Sequence, residues 1–139
     1  MKIMALDLGD SRIGIAFSDI MNIIANGYET YNRQKNYKDF EYIANLVKDH
    51  KVQNVVIGLP VNMDGTEGER ALMAREFGNE LKKLIADDVE INFIDERMTT
   101  ISAERVLLEA DVSRNKRKKV IDKIAATIIL QSYLDIINK

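Results

Sequence analysis

Cysteine is absent from this chain and histidine occurs once. Those gaps remove disulfides, thiolate catalysis and zinc-ribbon sites together. No apolar run approaches the roughly 18 residues of a membrane span. The N-terminus opens on a strand pattern rather than a signal peptide, so the cytoplasm is the expected address. An excess of positive charge is also missing: 20 basic residues against 22 acidic ones leave a net charge of -2. Any contact with nucleic acid must therefore come from a local patch. There are no repeats, low-complexity tracts or linkers. With 139 residues, 46% apolar and 30% charged, the chain is long enough for one domain (1–139) with a substantial core.

What is present begins with an anomaly, an aspartate inside the first hydrophobic strand pattern, Ile3-Met4-Ala5-Leu6-Asp7-Leu8. A carboxylate flanked by leucines is costly to bury alone. It needs a cation, and with so few soft ligands the candidates are a hard metal ion or a basic side chain.

Residues 3–8 and 12–18 read as a hairpin across Gly9-Asp10-Ser11. In the second strand Ile13, Ile15 and Phe17 alternate with Gly14, Ala16 and Ser18, giving a large face and a small one. Small residues opposite Asp7 would let a ligand or a backbone come close. A third strand is expected near Tyr28 to Tyr31, with Asn26-Gly27 breaking the pattern before it. Asn36 can cap a helix to about His50, with Phe40, Ile43, Ala44 and Val47 on one stripe.

Val55 to Leu59 suits a strand buried on both faces, and Val61 to Gly68 a loop. A second helix carries Ala74, Phe77, Leu81, Leu84 and Ile85. Ile91 to Asp95 is another strand. Thr99 or Thr100 can cap a short helix buried through Ala103, Val106, Leu107 and Ala110. The last helix, about 118–137, is apolar nearly all round at Ile124 to Leu130 and should be largely buried. The order predicts an α/β fold: a mixed five-stranded sheet, an antiparallel meander continued by parallel strands, with helices on both faces.

Ligands gather at the carboxyl ends of parallel strands. Glu96 follows the last strand, and Asp122 lies near the start of the last helix. If that helix packs across the sheet, Asp7, Glu96 and Asp122 can converge. Clustered carboxylates need cations, and Mg²⁺ or Mn²⁺ suits all-oxygen ligands and phosphate substrates. Two such ions about 4 Å apart could activate water and stabilise a leaving oxygen. Each acid also has an ordinary explanation. Asp122 could serve a helix dipole, and Glu96 could pair with Arg97 on the surface. Asp10 and Asp19 read as turn residues, and Asp95 as orienting its neighbours.

Arg114, Lys116, Arg117, Lys118, Lys119 and Lys123 crowd the approach to Asp122. A charge run is usually a solvated face, but beside a carboxylate site in an acidic chain it favours phosphate-backbone contact. Aromatic interleaving is absent from it, so base stacking is not indicated. Arg12 and Arg97 are further candidates for phosphate, with a hairpin salt bridge the competing role for Arg12. The Gly58 to Gly68 loop lacks the ending of a P-loop, and Asp7 to Gly14 is not a dinucleotide fingerprint. His50 reads as a solvated residue at a helix end.

Four ordered blocks carry a resemblance. They are Leu6-Asp7-Leu8-Gly9 with Arg12-Ile13-Gly14 and Ser18-Asp19; Val56-Ile57-Gly58-Leu59-Pro60 with Asn62 and Gly65; Asp95-Glu96-Arg97-Met98-Thr99-Thr100; and Asp122-Lys123-Ile124-Ala125-Ala126 with Leu130-Gln131. Over essentially the whole chain these resemble the YqgF family, also called RuvX, within the ribonuclease-H-like superfamily. The resemblance implies a ribonuclease-H-like fold and a metal-dependent nuclease, linked in bacteria to maturation of the 5′ end of pre-16S ribosomal RNA in ribosome biogenesis. By motif the family's acids fall on Asp7, Glu96 and Asp122, as catalytic residues and ligands of Mg²⁺ or Mn²⁺. No counterpart stands out for the fourth acid that many related enzymes carry.

The expected partner is structured RNA or ribosomal precursor particles, with the protein a monomer or weak homodimer. The alternatives are a Holliday-junction DNA resolvase, which needs two active sites and hence a dimer, and a non-catalytic RNA-binding assembly factor. An actin-like ATP-binding protein would need two such domains, and the length allows one.

Overall fold

The two faces of the second strand decide how the helices are distributed. The computed structural model describes residues 2–99 and 114–139, with side chains from Asp122 onward in the second stretch. Strands β1 (Lys2–Leu8), β2 (Arg12–Ser18) and β3 (Ala25–Asn32) form the meander, and α1 (Tyr37–Asp49) leads to β4 (Val52–Leu59). Then come α2 (Glu69–Lys82), β5 (Glu90–Asp95), a 3-10 turn (Glu96–Met98) and the long helix α3 (Arg114–Ile137). The sheet order is β3-β2-β1-β4-β5, with β1 antiparallel to β2 and parallel to β4, and β4 parallel to β5. This is the expected five-stranded mixed sheet with helices on both faces.

Ile13, Ile15 and Phe17 point to the layer that holds Ile43, Leu46 and Val47 of α1 and Ala71, Ala74, Phe77 and Leu81 of α2. The small face of β2 receives α3 instead, where Ala16 packs with Ala125, Ala126, Ile129, Leu130 and Leu134. Only small side chains on β2 let a helix backbone settle that close. β1 serves both layers by its two-residue period, with Met4, Leu6 and Leu8 on one side and Ile3 and Ala5 on the other.

Asn36 caps α1 by accepting the Lys38 N–H at 2.9 Å, and His50 closes it, as the pattern predicted. Several expectations need correction. Asn26-Gly27 does not break β3. The strand runs through them, and the register shifts between Ile15 and Ala16, so that Ile15 faces Glu29 and Ala16 faces Gly27. Tyr28 is the extra residue of a bulge. Leu84 lies beyond the end of α2 and is exposed. Helix α3 begins earlier than 118, and among its described side chains Ala125, Ala126, Ile129, Leu130 and Leu134 are buried while Ile124, Thr127 and Ile128 are half-buried. The short helix expected through Ala103, Val106, Leu107 and Ala110 lies outside the described residues.

Candidate active site

Asp7 is 6% exposed and stands in the layer beneath α3. Its antiparallel partner is Gly14. A Cβ on Gly14 would come within 1.9 Å of the Asp122 carbonyl oxygen. The missing side chain therefore lets the α3 backbone descend onto β2 beside Asp7. On the other flank Leu6 pairs with Ile57, so the register brings Gly58 next to Asp7. A Cβ there would lie 2.8 Å from Glu96 Oε1 and 2.6 Å from Ile129 Cδ1. Gly14 and Gly58 thus clear space on both sides of Asp7, one for the backbone carrying Asp122 and one for the Glu96 carboxylate. Facing pairs share a side of the sheet, so all three acids are on the α3 face.

Glu96 opens the 3-10 turn directly after β5. Its position is set by Asp95, which accepts the Arg97 N–H at 2.9 Å and pairs with the guanidinium at 2.7 Å. The Arg97 guanidinium beside Asp95 holds that carboxyl below its usual range, and Asp95 raises Arg97 in turn. Arg97 also donates to the Met63 carbonyl at 3.2 Å and lies over Gly65, whose φ of +89° needs glycine. It therefore clamps the β4–α2 loop against the site rim. Its partner is Asp95, so the surface pair with Glu96 considered from sequence is not the arrangement found, while Asp95 has the orienting role expected.

Asp122 sits in the third turn of α3, too deep to be a cap. Arg12 Nε donates to Asp122 Oδ2 at 2.7 Å. Neither hairpin pairing nor free exposure describes Arg12; it bridges β2 to α3. Among the described residues no three acids lie close enough to hold one ion as they stand. The donor chemistry still fits a hard divalent cation: three carboxylates brought to one sheet face, with oxygen donors only.

A second layer supports the site, and sequence reasoning missed it. Asp39 on α1 is 1% exposed and accepts from Tyr31 Oη, Gln34 N, Lys35 N and Arg33 Nε. Burial pushes its carboxyl up, but those hydrogen bonds, led by the Gln34 N–H, outweigh burial and hold it below its ordinary value. Burial and Asp39 push the Tyr31 hydroxyl up to about 12. Arg33 donates to the Gly9 carbonyl at 2.8 Å, and its N–H binds Ser11 O at 2.9 Å. Asp39 thereby braces the β1–β2 turn that presents Arg12. The available signal was an acid in the first turn of an amphipathic helix, which normally means only a dipole partner.

The side chains of Arg114, Lys116, Arg117, Lys118 and Lys119 lie outside the described residues. Lys123 is exposed, and its stem covers Gly27 on β3. Asp19 accepts the N–H groups of Ile23 and Ile24, as a turn residue should. His50 is not simply solvated: its ring stacks on Phe17 at 4.2 Å, on the sheet face away from Asp7.

Known proteins resemble this chain in sequence and in fold. The family model for RuvX, described as Holliday junction resolvase, matches residues 1–136. A relative from Syntrophomonas wolfei is 50% identical over 135 residues, covering 97% of this chain and 94% of its own. One from Halothermothrix orenii is 49% identical over 139 residues, covering 100% and 98%. Both bear the name "Putative pre-16S rRNA nuclease". Among solved structures, T. thermophilus RuvC in complex with Holliday junction substrate superposes with a TM-score of 0.59 at 9% identity, covering 98% of this chain and 96% of that one. That likeness establishes a ribonuclease-H-like fold.

Proposed function

The chain belongs to the RuvX family and is a nuclease, and from that premise we propose that it hydrolyses phosphodiester bonds in structured RNA, at the 5′ end of pre-16S ribosomal RNA. The observation that supports the site assignment is that Asp7, Glu96 and Asp122 share one sheet face, where Gly14 admits the backbone of Asp122 and Gly58 the carboxylate of Glu96 beside Asp7. In this reading the three carboxylates are catalytic and hold Mg²⁺ or Mn²⁺. Such an ion, when bound, supplies a nucleophilic water at neutral pH and stabilises charge on the leaving oxygen.

The chain's own residues do the rest. The backbone of Asp7 is held by paired strands on both sides, so its carboxylate is offered from a rigid support. The Asp95–Arg97 pair holds the turn that aims Glu96, and Arg97 keeps the β4–α2 loop on the rim. Arg114, Lys116, Arg117, Lys118 and Lys119 engage backbone phosphates together with Arg12, giving affinity without base reading. Arg97 is assigned to loop positioning first, and phosphate contact is left to whatever its exposed edge can reach.

Relatives at about half identity over nearly full length, named for pre-16S rRNA, support RNA as the substrate. The family's description as a Holliday junction resolvase supports a second reading on DNA junctions. That reading needs two sites per junction and so a dimer. The test is cleavage of a precursor rRNA and of a four-way DNA junction by the same preparation with Mn²⁺ or Mg²⁺, alongside its mass in solution. Cleavage of the RNA by a monomer is the expected result. Symmetric cutting of the junction by a dimer, with the RNA intact, would overturn it. Inactivity on both, with RNA binding unaffected by Asp7→Asn, would make the protein a binding factor instead.

A further inference from the structure

The Arg12–Asp122 ion pair stands where the proposed metal site needs a free carboxylate. Arg12, Gly14 and Ala16 share the α3 face of β2 by the two-residue period of a strand. The Arg12 side chain therefore rises on the same side as Asp7, one step nearer the strand end. Its Nε meets Asp122 Oδ2 at 2.7 Å, with the two side chains 28% and 17% exposed. The Asp122 backbone is itself immobilised over Gly14. The carboxylate can then change partners only by rotating about its side-chain bonds, while the helix stays in place.

We propose that Arg12 is the resident counter-cation of Asp122, and that it exchanges places with the divalent ion. Without metal, the guanidinium neutralises Asp122 and keeps like-charged carboxylates from repelling one another. When an ion binds, Asp122 turns to it, and the released guanidinium is left at the site rim. There it can meet the phosphate of the bound nucleic acid, for which its fork is suited. One residue thus serves the empty and the loaded states in turn, and metal binding is opposed by the pair it must open. This inference rests on the three-carboxylate reading.

The test is Mn²⁺ binding to the full chain without nucleic acid, by calorimetry or by the electron paramagnetic resonance signal of free Mn²⁺. Arg12→Gln should bind Mn²⁺ roughly three- to tenfold more tightly than wild type, the equivalent of a partly buried pair worth about 0.7–1.4 kcal/mol. Arg12→Lys, which keeps the charge, should stay near wild type. Thermal unfolding supplies a second readout. Arg12→Gln should melt lower than wild type in the absence of metal, and saturating Mn²⁺ should raise its Tm by more than it raises that of wild type. Unchanged or weaker Mn²⁺ binding in a folded Arg12→Gln, with wild-type binding still abolished by Asp7→Asn, overturns the exchange and leaves the carboxylate site standing. Absence of Mn²⁺ binding in wild type overturns both.

Discussion

Two glycines that look alike in sequence have different jobs, and single methyl groups separate them. At Gly14 the added Cβ would meet backbone at 1.9 Å, and neither β2 nor α3 can yield without moving an element. Gly14→Ala should cost about 2–3 kcal/mol by overpacking and reduce cleavage with it; urea unfolding measures the first. At Gly58 the added Cβ would meet only side-chain ends, Ile129 Cδ1 and Glu96 Oε1. Gly58→Ala should stay within about 1 kcal/mol of wild type yet lose much of its activity, because Glu96 is the group displaced. Equal stability losses in the two variants would contradict this assignment.

Asp39 gives a pH prediction at the same scale. Its carboxyl is lowered in the folded state, so its contribution is present above the unfolded value and is lost as pH falls through the folded one. Asp39→Asn should cost about 1–3 kcal/mol at pH 7. As pH falls below the ordinary carboxylate range, the stability of Asp39→Asn should fall less steeply than that of wild type, as acid unfolding monitored by circular dichroism would show.

At the scale of elements, the docking position of α3 decides the site. The alternation of large and small residues in β2 was legible in sequence and predicted a face open to close approach. Which body would approach was not legible, because Gly14 and Asp122 are joined only by the tertiary fold. The same holds for Gly58 and Glu96. Local patterns gave strands β1, β2 and β5 and helix α1 nearly to the residue, since capping and periodicity are written within each segment, whereas β4 starts at Val52, before the apolar run at Val55 that marked it. The bulge in β3 was invisible, because a bulge is a property of a pair of strands. Asp39 was missed although its four donors, Tyr31, Arg33, Gln34 and Lys35, precede it closely in sequence, because only the folded turn between β3 and α1 aims them at one carboxylate. A helix-scale consequence is that Ala126→Leu, on the buried side of α3 against the small face of β2, should destabilise by about 1–3 kcal/mol. The circular dichroism melt would show it.

At the scale of the whole molecule, a chain with net charge -2 must bind nucleic acid through a patch that its overall charge does not reveal. Neutralising Lys116, Arg117, Lys118 and Lys119 together should weaken RNA binding. It should also flatten the dependence of log K on log salt concentration by about three, at roughly 0.7–0.9 for each phosphate no longer neutralised. A binding isotherm series across salt concentrations reads that slope, and an unchanged slope would remove these residues from the interface.

The residues of this patch and Asp122 belong to one long helix, α3, which crosses the sheet that carries Asp7, so the proposed binding and chemistry share a support. The proposed chemistry depends on Asp7, Glu96 and Asp122 acting through a divalent ion on a phosphodiester. The decisive experiment is single-turnover cleavage of the precursor rRNA by Asp7→Asn at saturating Mn²⁺, with RNA affinity measured in parallel. The expected loss is more than about a hundredfold, beyond what even outer-sphere partners of a metal typically contribute, with RNA affinity nearly unchanged. Cleavage by Asp7→Asn at the wild-type rate would contradict the three-carboxylate mechanism.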